Sequence, residues 1–348
     1  MKILILKPSS LGDVVQALPV LRLLKAHDPT CEIYWWLGVE LTPLLAGDKD
    51  LAGIFPFDRR RWAAPSRWHE VAQSLRLIRA LRFDWVIDLQ GLARSGLFAW
   101  AANSQLTIGL DDSREGAPAC YDIRVPRPSA QTHAVDWYLE VLRTLKVPVH
   151  WRFTWLPPRP DVQAALHQKW PIAAQRWLLL HPGARWPNKR WPAAAFRELV
   201  QRLAAENAAL RFAIVGAGED AALGEHIVAG APDRCLLLTG KTSLSELVEW
   251  IRACDLMITN DTGPMHIAAA LERPVVALFG PTDPRRTGPY RQVHRVLRIP
   301  LPCAPCLKAG CHYAKPFECL VAIRPDTVCR EVLRRLEEAS PSAPRHFE

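Results

Sequence analysis

Short apolar runs alternate with stretches whose apolar residues recur every three or four positions, and this alternation continues for most of the chain. Ile3 to Leu6 predicts a buried strand, and Val14, Leu18, Leu21, Leu24 and Lys25 predict an amphipathic helix after the turn Pro8-Ser9-Ser10-Leu11-Gly12-Asp13. Glu32 to Leu37 and Trp85 to Leu89 predict further strands, with helices near residues 67–81, 92–102 and 133–145. Prolines at 148, 157, 158, 160 and 171 then interrupt the pattern. It restarts with strands at Trp177 to Leu180, Phe212 to Val215, Cys235 to Leu238, Leu256 to Ile258 and Val275 to Phe279, separated by helices near 192–206, 219–229, 243–253 and 263–271. Strand and helix in alternation imply parallel sheets covered on both faces. The expected fold class is α/β, with two doubly wound, Rossmann-like domains facing a central cleft and ligands beyond the carboxyl ends of the strands. The expected boundaries are 1–155 for the first domain, 156–175 for a linker, 176–325 for the second domain and 326–348 for a C-terminal helix and tail, the latter Ser/Pro-rich from Ser340.

A chain of 348 residues, 49% hydrophobic and 23% charged, has room for two cores. Its 44 Lys and Arg against 35 Asp and Glu leave a net charge of +9, which favours an anionic partner. Nucleic acid is not the expected partner, because no RNA-binding signature or interleaving of aromatic and basic residues supports it. No signal-peptide core and no apolar stretch of roughly 18 residues occurs, so a cytoplasmic location is expected. Nine cysteines, an odd number, suit a reducing compartment.

The run from Ile258 to Ala270 predicts a strand end, a sharp turn at Gly263 and a helix opening with Pro264. Free N–H groups and the positive end of the helix dipole make such a turn an anion cradle. Asp261 at its edge suits sugar hydroxyls; alternatively, Asp261 or Thr262 only caps the helix. Asp13 is placed to act as a general base or merely to favour the first helix N-terminus, and Lys7 adds charge beside it. Arg59, Arg60 and Arg61, with Arg67, are either a solvated turn or an anion clamp joined by Arg94 and His133. In the loop from His181 to Pro192, Lys189 reaches toward a diphosphate or is an ordinary surface charge. Val215 to Asp220 ends a strand in a small-residue turn with an acid but is not a complete dinucleotide fingerprint. Cys303, Cys306, Cys311 and Cys319 form either a tetrahedral Zn or Fe site or a set of reduced thiols.

Lys7-Pro8-Ser9-Ser10-Leu11-Gly12-Asp13, the His181 to Trp191 loop, Asn260-Asp261-Thr262-Gly263-Pro264-Met265-His266 and Gly280-Pro281-Thr282-Asp283-Pro284 together resemble the bacterial heptosyltransferases of glycosyltransferase family 9. The resemblance spans both halves of the chain and includes the cysteine-rich segment. It implies a GT-B fold and inverting transfer of heptose from ADP-heptose to a lipid-linked lipopolysaccharide core oligosaccharide, at the inner face of the cytoplasmic membrane. By similarity, Asp13 is the base and Lys189 supports the leaving diphosphate. Asp261, Thr262, Gly263, His266, Glu219 and Thr242 serve the donor, with Asp220 a rival to Glu219. Lys7, Arg59, Arg60, Arg61, Arg94 and His133 serve the acceptor. No catalytic cofactor is implied. The segment Gly183-Ala184-Arg185 stands where some relatives carry hydroxyl residues. Two further readings stay open: a family member that uses another nucleotide sugar or glycosylates a protein, and a non-catalytic sugar-nucleotide-binding protein.

Overall fold

The computed structural model describes residues 1–112, 115–172 and 175–338. It divides into two compact units, residues 1–157 and 158 onward. Unit 1 contains β1 (Lys2–Leu6), α1 (Leu11–His27), β2 (Glu32–Gly38), α2 (Thr42–Leu45), β3 (Gly53–Phe57), α3 (Trp68–Ala80), β4 (Trp85–Asp88), α4 (Ala93–Ala102), β5 (Leu106–Leu110), β6 (Ile123–Val125) and α5 (Ala134–Thr144). Its parallel sheet has the order β3-β2-β1-β4-β5-β6.

Unit 2 contains α6 (Pro160–Lys169), β7 (Arg176–His181), α7 (Ala193–Glu206), β8 (Leu210–Ile214), α8 (Ala221–Val228), β9 (Cys235–Leu237), α9 (Leu244–Ala253), β10 (Leu256–Asn260), α10 (Gly263–Ala270), β11 (Val275–Phe279), α11 (Pro284–Thr287), β12 (Val296–Arg298), α12 (Glu318–Val321) and α13 (Pro325–Glu338). Its sheet, also parallel, runs β12-β11-β10-β7-β8-β9, which is the same order as in unit 1. In such a sheet the strand order reverses between the first and fourth strands, and the crevice beyond their carboxyl ends is where ligands bind. That point lies between β1 and β4 in unit 1 and between β7 and β10 in unit 2.

One face of the unit 1 sheet packs Leu4, Leu6, Trp36 and Val86 against Ile78 of α3 and Phe98, Ala99 and Ala102 of α4. Helix α1 departs from the amphipathic reading. All of Val14 to Leu24 is buried, Gln16, Pro19 and Arg22 included. The Arg22 guanidinium is satisfied by Asp48, Asp50 and the Trp155 carbonyl, which is what permits a charge at that depth.

The proline-rich stretch expected to be linker instead holds α6, with Pro160 at its first turn, where a missing N–H does no harm. Arg159 donates to Ser245 at 3.0 Å and Lys169 pairs with Glu246 at 2.9 Å, tying α6 to α9. The Ser/Pro-rich tail from Ser340 lies outside the described residues. Among the described residues, no helix is long and apolar enough to cross a membrane.

Candidate active site

In unit 1 the loop after β1 carries Asp13 on the first turn of α1. One Asp13 oxygen accepts from the Ser10 N–H at 2.9 Å and from the Ser10 hydroxyl at 2.6 Å. These two donors fix the carboxylate on the loop. Lys7 is buried, donates to the Leu89 carbonyl at 2.8 Å and lies 5.1 Å from the centre of the Tyr138 ring. Burial alone would lower its pKa, but Tyr138, Asp13 and Asp88 outweigh that and hold it above the ordinary lysine value. Lys7 therefore stays charged and brings a fixed positive charge to the Asp13 carboxylate.

Asp88, at the end of β4, is fully buried. It accepts from the Tyr121 hydroxyl at 2.7 Å and from the Gln90 and Gly91 N–H groups at 2.8 and 3.1 Å. Gly109 makes this possible, since a Cβ there would lie 2.4 Å from the Tyr121 ring. Asp88 was not among the residues singled out from the sequence; a carboxylate closing an apolar strand was the available signal.

The expected acceptor residues separate into distinct settings. Arg59 and Arg60 are exposed, and the Asp58 carboxylate accepts from the Arg60 and Arg61 N–H groups to form the turn. Arg61 is bound to Glu70, and that guanidinium holds the Glu70 carboxyl down at about 2. Arg94 lies over the Phe57 ring at 5.2 Å. His133 is buried as the N-cap of α5, its Nδ1 accepting from the Val135 N–H at 3.2 Å.

In unit 2 the turn between β10 and α10 carries a polar cluster. Lys189 Nζ is 2.6 Å from Asp261 Oδ2, and the Thr282 hydroxyl donates to the same oxygen at 2.6 Å. Lys189 also sits 4.7 Å from the centre of the Trp186 ring. Thr262 is the extended N-cap residue of α10, Gly263 and Pro264 open the helix, and His266 is buried one turn in. The Thr262 hydroxyl is 3.3 Å from His181 Nδ1, joining the ends of β10 and β7. Burial pushes the His181 imidazole down to about 4, so it is neutral near pH 7 and can serve the site as a hydrogen-bonding group rather than a cation.

Asn260 was missed in the sequence reading. Fully buried, it accepts from the Trp191 N–H at 3.1 Å and donates to the Pro182 carbonyl at 2.7 Å. Both ends of the long loop carrying Lys189 are thereby stapled to β10.

Asp220 and Glu219 have opposite surroundings. Asp220 is buried, accepts from the Ala217 N–H at 3.2 Å and packs on Gly216 and on Gly183, where a Cβ would lie 2.4 Å from its carboxylate. Glu219 is exposed and free of that packing. Thr242 follows Gly240, which has φ +70°, and precedes Ser243, the N-cap of α9 paired reciprocally with Glu246.

Cys303, Cys306, Cys311 and Cys319 line one pocket with Asn188, Lys308 and His312. Cys311 Sγ accepts from the Phe317 N–H at 3.3 Å, and burial together with the neighbouring thiols pushes Cys319 up. The structure lends no support to the tetrahedral Zn or Fe reading. Among the described residues, no group of three or more His, Cys, Asp or Glu is arranged to hold a metal ion.

Residues 68–316 match the sequence profile of glycosyltransferase family 9 (heptosyltransferase). The chain belongs to glycosyltransferase family 9.

Relatives within the family include lipopolysaccharide heptosyltransferase 1 of Pseudomonas aeruginosa, 28% identical over 326 residues that cover 90% of this chain and 88% of that one. Lipopolysaccharide heptosyltransferase 2 of Salmonella typhimurium is 29% identical, covering 86% and 88%. Among solved structures, the Escherichia coli ADP-heptose lipopolysaccharide heptosyltransferase II superposes with a TM-score of 0.78 at 26% identity, covering 97% of this chain and 99% of that one. The E. coli heptosyltransferase WaaC with ADP shares the fold at a TM-score of 0.76 and 23% identity, covering 98% and 100%. As a family 9 enzyme, the protein is a glycosyltransferase of the GT-B fold class.

Proposed function

We propose that the enzyme transfers heptose from ADP-heptose, with inversion, to an anionic inner-core acceptor of lipopolysaccharide. The observation that carries this reading is the Lys189–Asp261–Thr282 cluster at the N-terminus of α10, which juxtaposes a cation for a diphosphate with a carboxylate suited to sugar hydroxyls. The named activities of the relatives support the choice of sugar and acceptor.

Residues 1–157 serve the acceptor and the rest of the described chain serves the donor. The acceptor hydroxyl attacks the anomeric carbon as ADP departs from the opposite side, and Asp13 takes the proton. A sugar hydroxyl is a far weaker acid than a carboxylic acid, so the proton moves late, once the oxygen is already bonding to carbon. Ser10 holds the carboxylate in one orientation for this step. The diphosphate gains negative charge as the bond breaks. Lys189 and the N–H groups of Thr262 and Gly263 stabilise that charge more in the transition state than in the ground state. Asp261 orients the sugar, and exposed Glu219 rather than buried Asp220 is available to the adenosine ribose.

The acceptor is lipid-linked, and the enzyme meets it as a peripheral protein at the inner face of the cytoplasmic membrane. Asp13→Ala, assayed with ADP-heptose and a defined acceptor, is expected to lose about 10²–10⁴-fold in kcat. Turnover near the wild-type rate would overturn the mechanism. Calorimetric titration with a panel of nucleotide sugars tests the donor, and preference for a different sugar would overturn that assignment.

A further inference from the structure

Nine large hydrophobic side chains are strongly exposed among the described residues, and four of them sit on two adjacent helices. Trp68 and Leu77 on α3 are 63% and 55% exposed, and Leu97 and Trp100 on α4 are 53% and 67% exposed. Single exposed apolar residues are ordinary, but such a concentration is not. The inner sides of both helices bury Ile78, Phe98, Ala99 and Ala102 in the core over the sheet, so the opposite sides point outward from the same face of unit 1; on α3 that side carries Trp68, Arg76 and Arg79, while Leu77, nine residues from Trp68, projects from the other flank. On α4, Ala93, Leu97 and Trp100 follow at spacings of four and three, one continuous stripe.

The charge around these residues is one-sided. Between residues 59 and 82 the chain carries Arg59, Arg60, Arg61, Arg67, Arg76, Arg79 and Arg82 against a single acid, Glu70. That acid is already engaged by Arg61 and Arg67. Arg76, Arg79 and Arg82 are exposed. Tryptophan, leucine and arginine together on an outward helical face combine insertion at a lipid interface with attraction to anionic headgroups.

We infer that the outer face of α3 and α4 docks on an anionic lipid bilayer, with Trp68, Leu97 and Trp100 entering the headgroup layer and Arg76 and Arg79 contacting lipid phosphates. A bilayer fits better than a protein partner because the apolar residues stand on the outer faces of two packed helices and the accompanying charge is mostly basic. The inference deepens the peripheral location proposed above by naming the surface, and it requires neither the assigned donor nor the assigned acceptor.

The test is sedimentation of the full chain with vesicles of phosphatidylcholine alone or mixed with phosphatidylglycerol, at low and high salt. Wild-type protein is expected to partition onto the anionic vesicles, more weakly at high salt. The pair Leu97→Ser and Trp100→Ser, and separately the pair Arg76→Glu and Arg79→Glu, are each expected to weaken partition about tenfold or more. Both pairs keep wild-type kcat/KM on a water-soluble, acyl-free acceptor, which also verifies folding. Vesicle binding unaffected by either pair would overturn the inference. Failure of the wild type to bind anionic vesicles would do the same and leave this face to a protein partner. Because vesicle binding is read without substrate, an error in the proposed reaction leaves the result standing.

Discussion

Lys189 Nζ and Asp261 Oδ2 stand 2.6 Å apart, a partly buried ion pair joining the loop after β7 to the turn after β10. Before any ligand arrives, the ammonium is thus already held where the helix dipole of α10 is strongest. Pre-organised charge of this kind acts without reorganisation at the moment of reaction.

Lys189→Ala is expected to lower kcat by about 10²–10³, with a smaller effect on the donor KM, since the lost interaction matters most as the diphosphate departs. Lys189→Arg keeps the charge in a different geometry and is expected to recover only part of the loss. Steady-state kinetics with saturating acceptor measure both. An unchanged kcat in Lys189→Ala would remove Lys189 from the reaction.

Thr282 holds Asp261 by a hydrogen bond. Thr282→Val, nearly isosteric, removes the donor at 2.6 Å and is expected to reduce kcat/KM for the donor roughly ten- to hundredfold, as for a hydrogen bond to a charged group. Thr282→Ser keeps the hydroxyl and should restore most of it. Equal losses in both variants would show that the methyl packing, not the hydrogen bond, is what matters.

Asn260→Leu leaves the Trp191 N–H and the Pro182 carbonyl without partners. With about 1–3 kcal/mol for each buried unpaired group, calorimetry should find the melting transition lowered by roughly 5–10 °C. Donor affinity should fall with it, because the loop carrying Lys189 loses both of its tethers to Asn260.

His181 sets a pH dependence. Burial lowers its pKa from 6.5 to about 4, so between those values the unfolded chain binds a proton that the folded chain does not. Stability from this residue is present above pH 6.5 and is lost as pH falls through about 4. Thermal melts of wild type and His181→Gln across that range should converge as the pH is lowered. Parallel curves would show that His181 does not titrate in this way.

Much of this was legible in the sequence because parallel strands buried on both faces read as apolar runs. β1, β2, β4, β7, β8, β9, β10 and β11 all lie where those runs fall. β3, β5, β6 and β12 were not read as strands. β3 is interrupted by Gly53 and Pro56, while β6 and β12 are short edge strands with little pattern of their own. Pro160 was read as a breaker although it opens α6, since proline ends a helix but also starts one. Lys189 and Asp261 were each legible singly, and their pairing was not, because no local pattern encodes a contact between residues 72 positions apart. Asn260 and Thr282 were hidden for the same reason: one completes a strand, the other reads as a turn residue, and the role of each resides in a distant partner.

The two sheets repeat one strand order, and each is built only from strands of its own unit. Each crevice is therefore encoded by a separate stretch of gene. Under the proposed division of acceptor residues to the first stretch and donor residues to the second, choice of acceptor and choice of donor become separately heritable traits. Recombination near codons 157 and 158 would exchange one without rewriting the other.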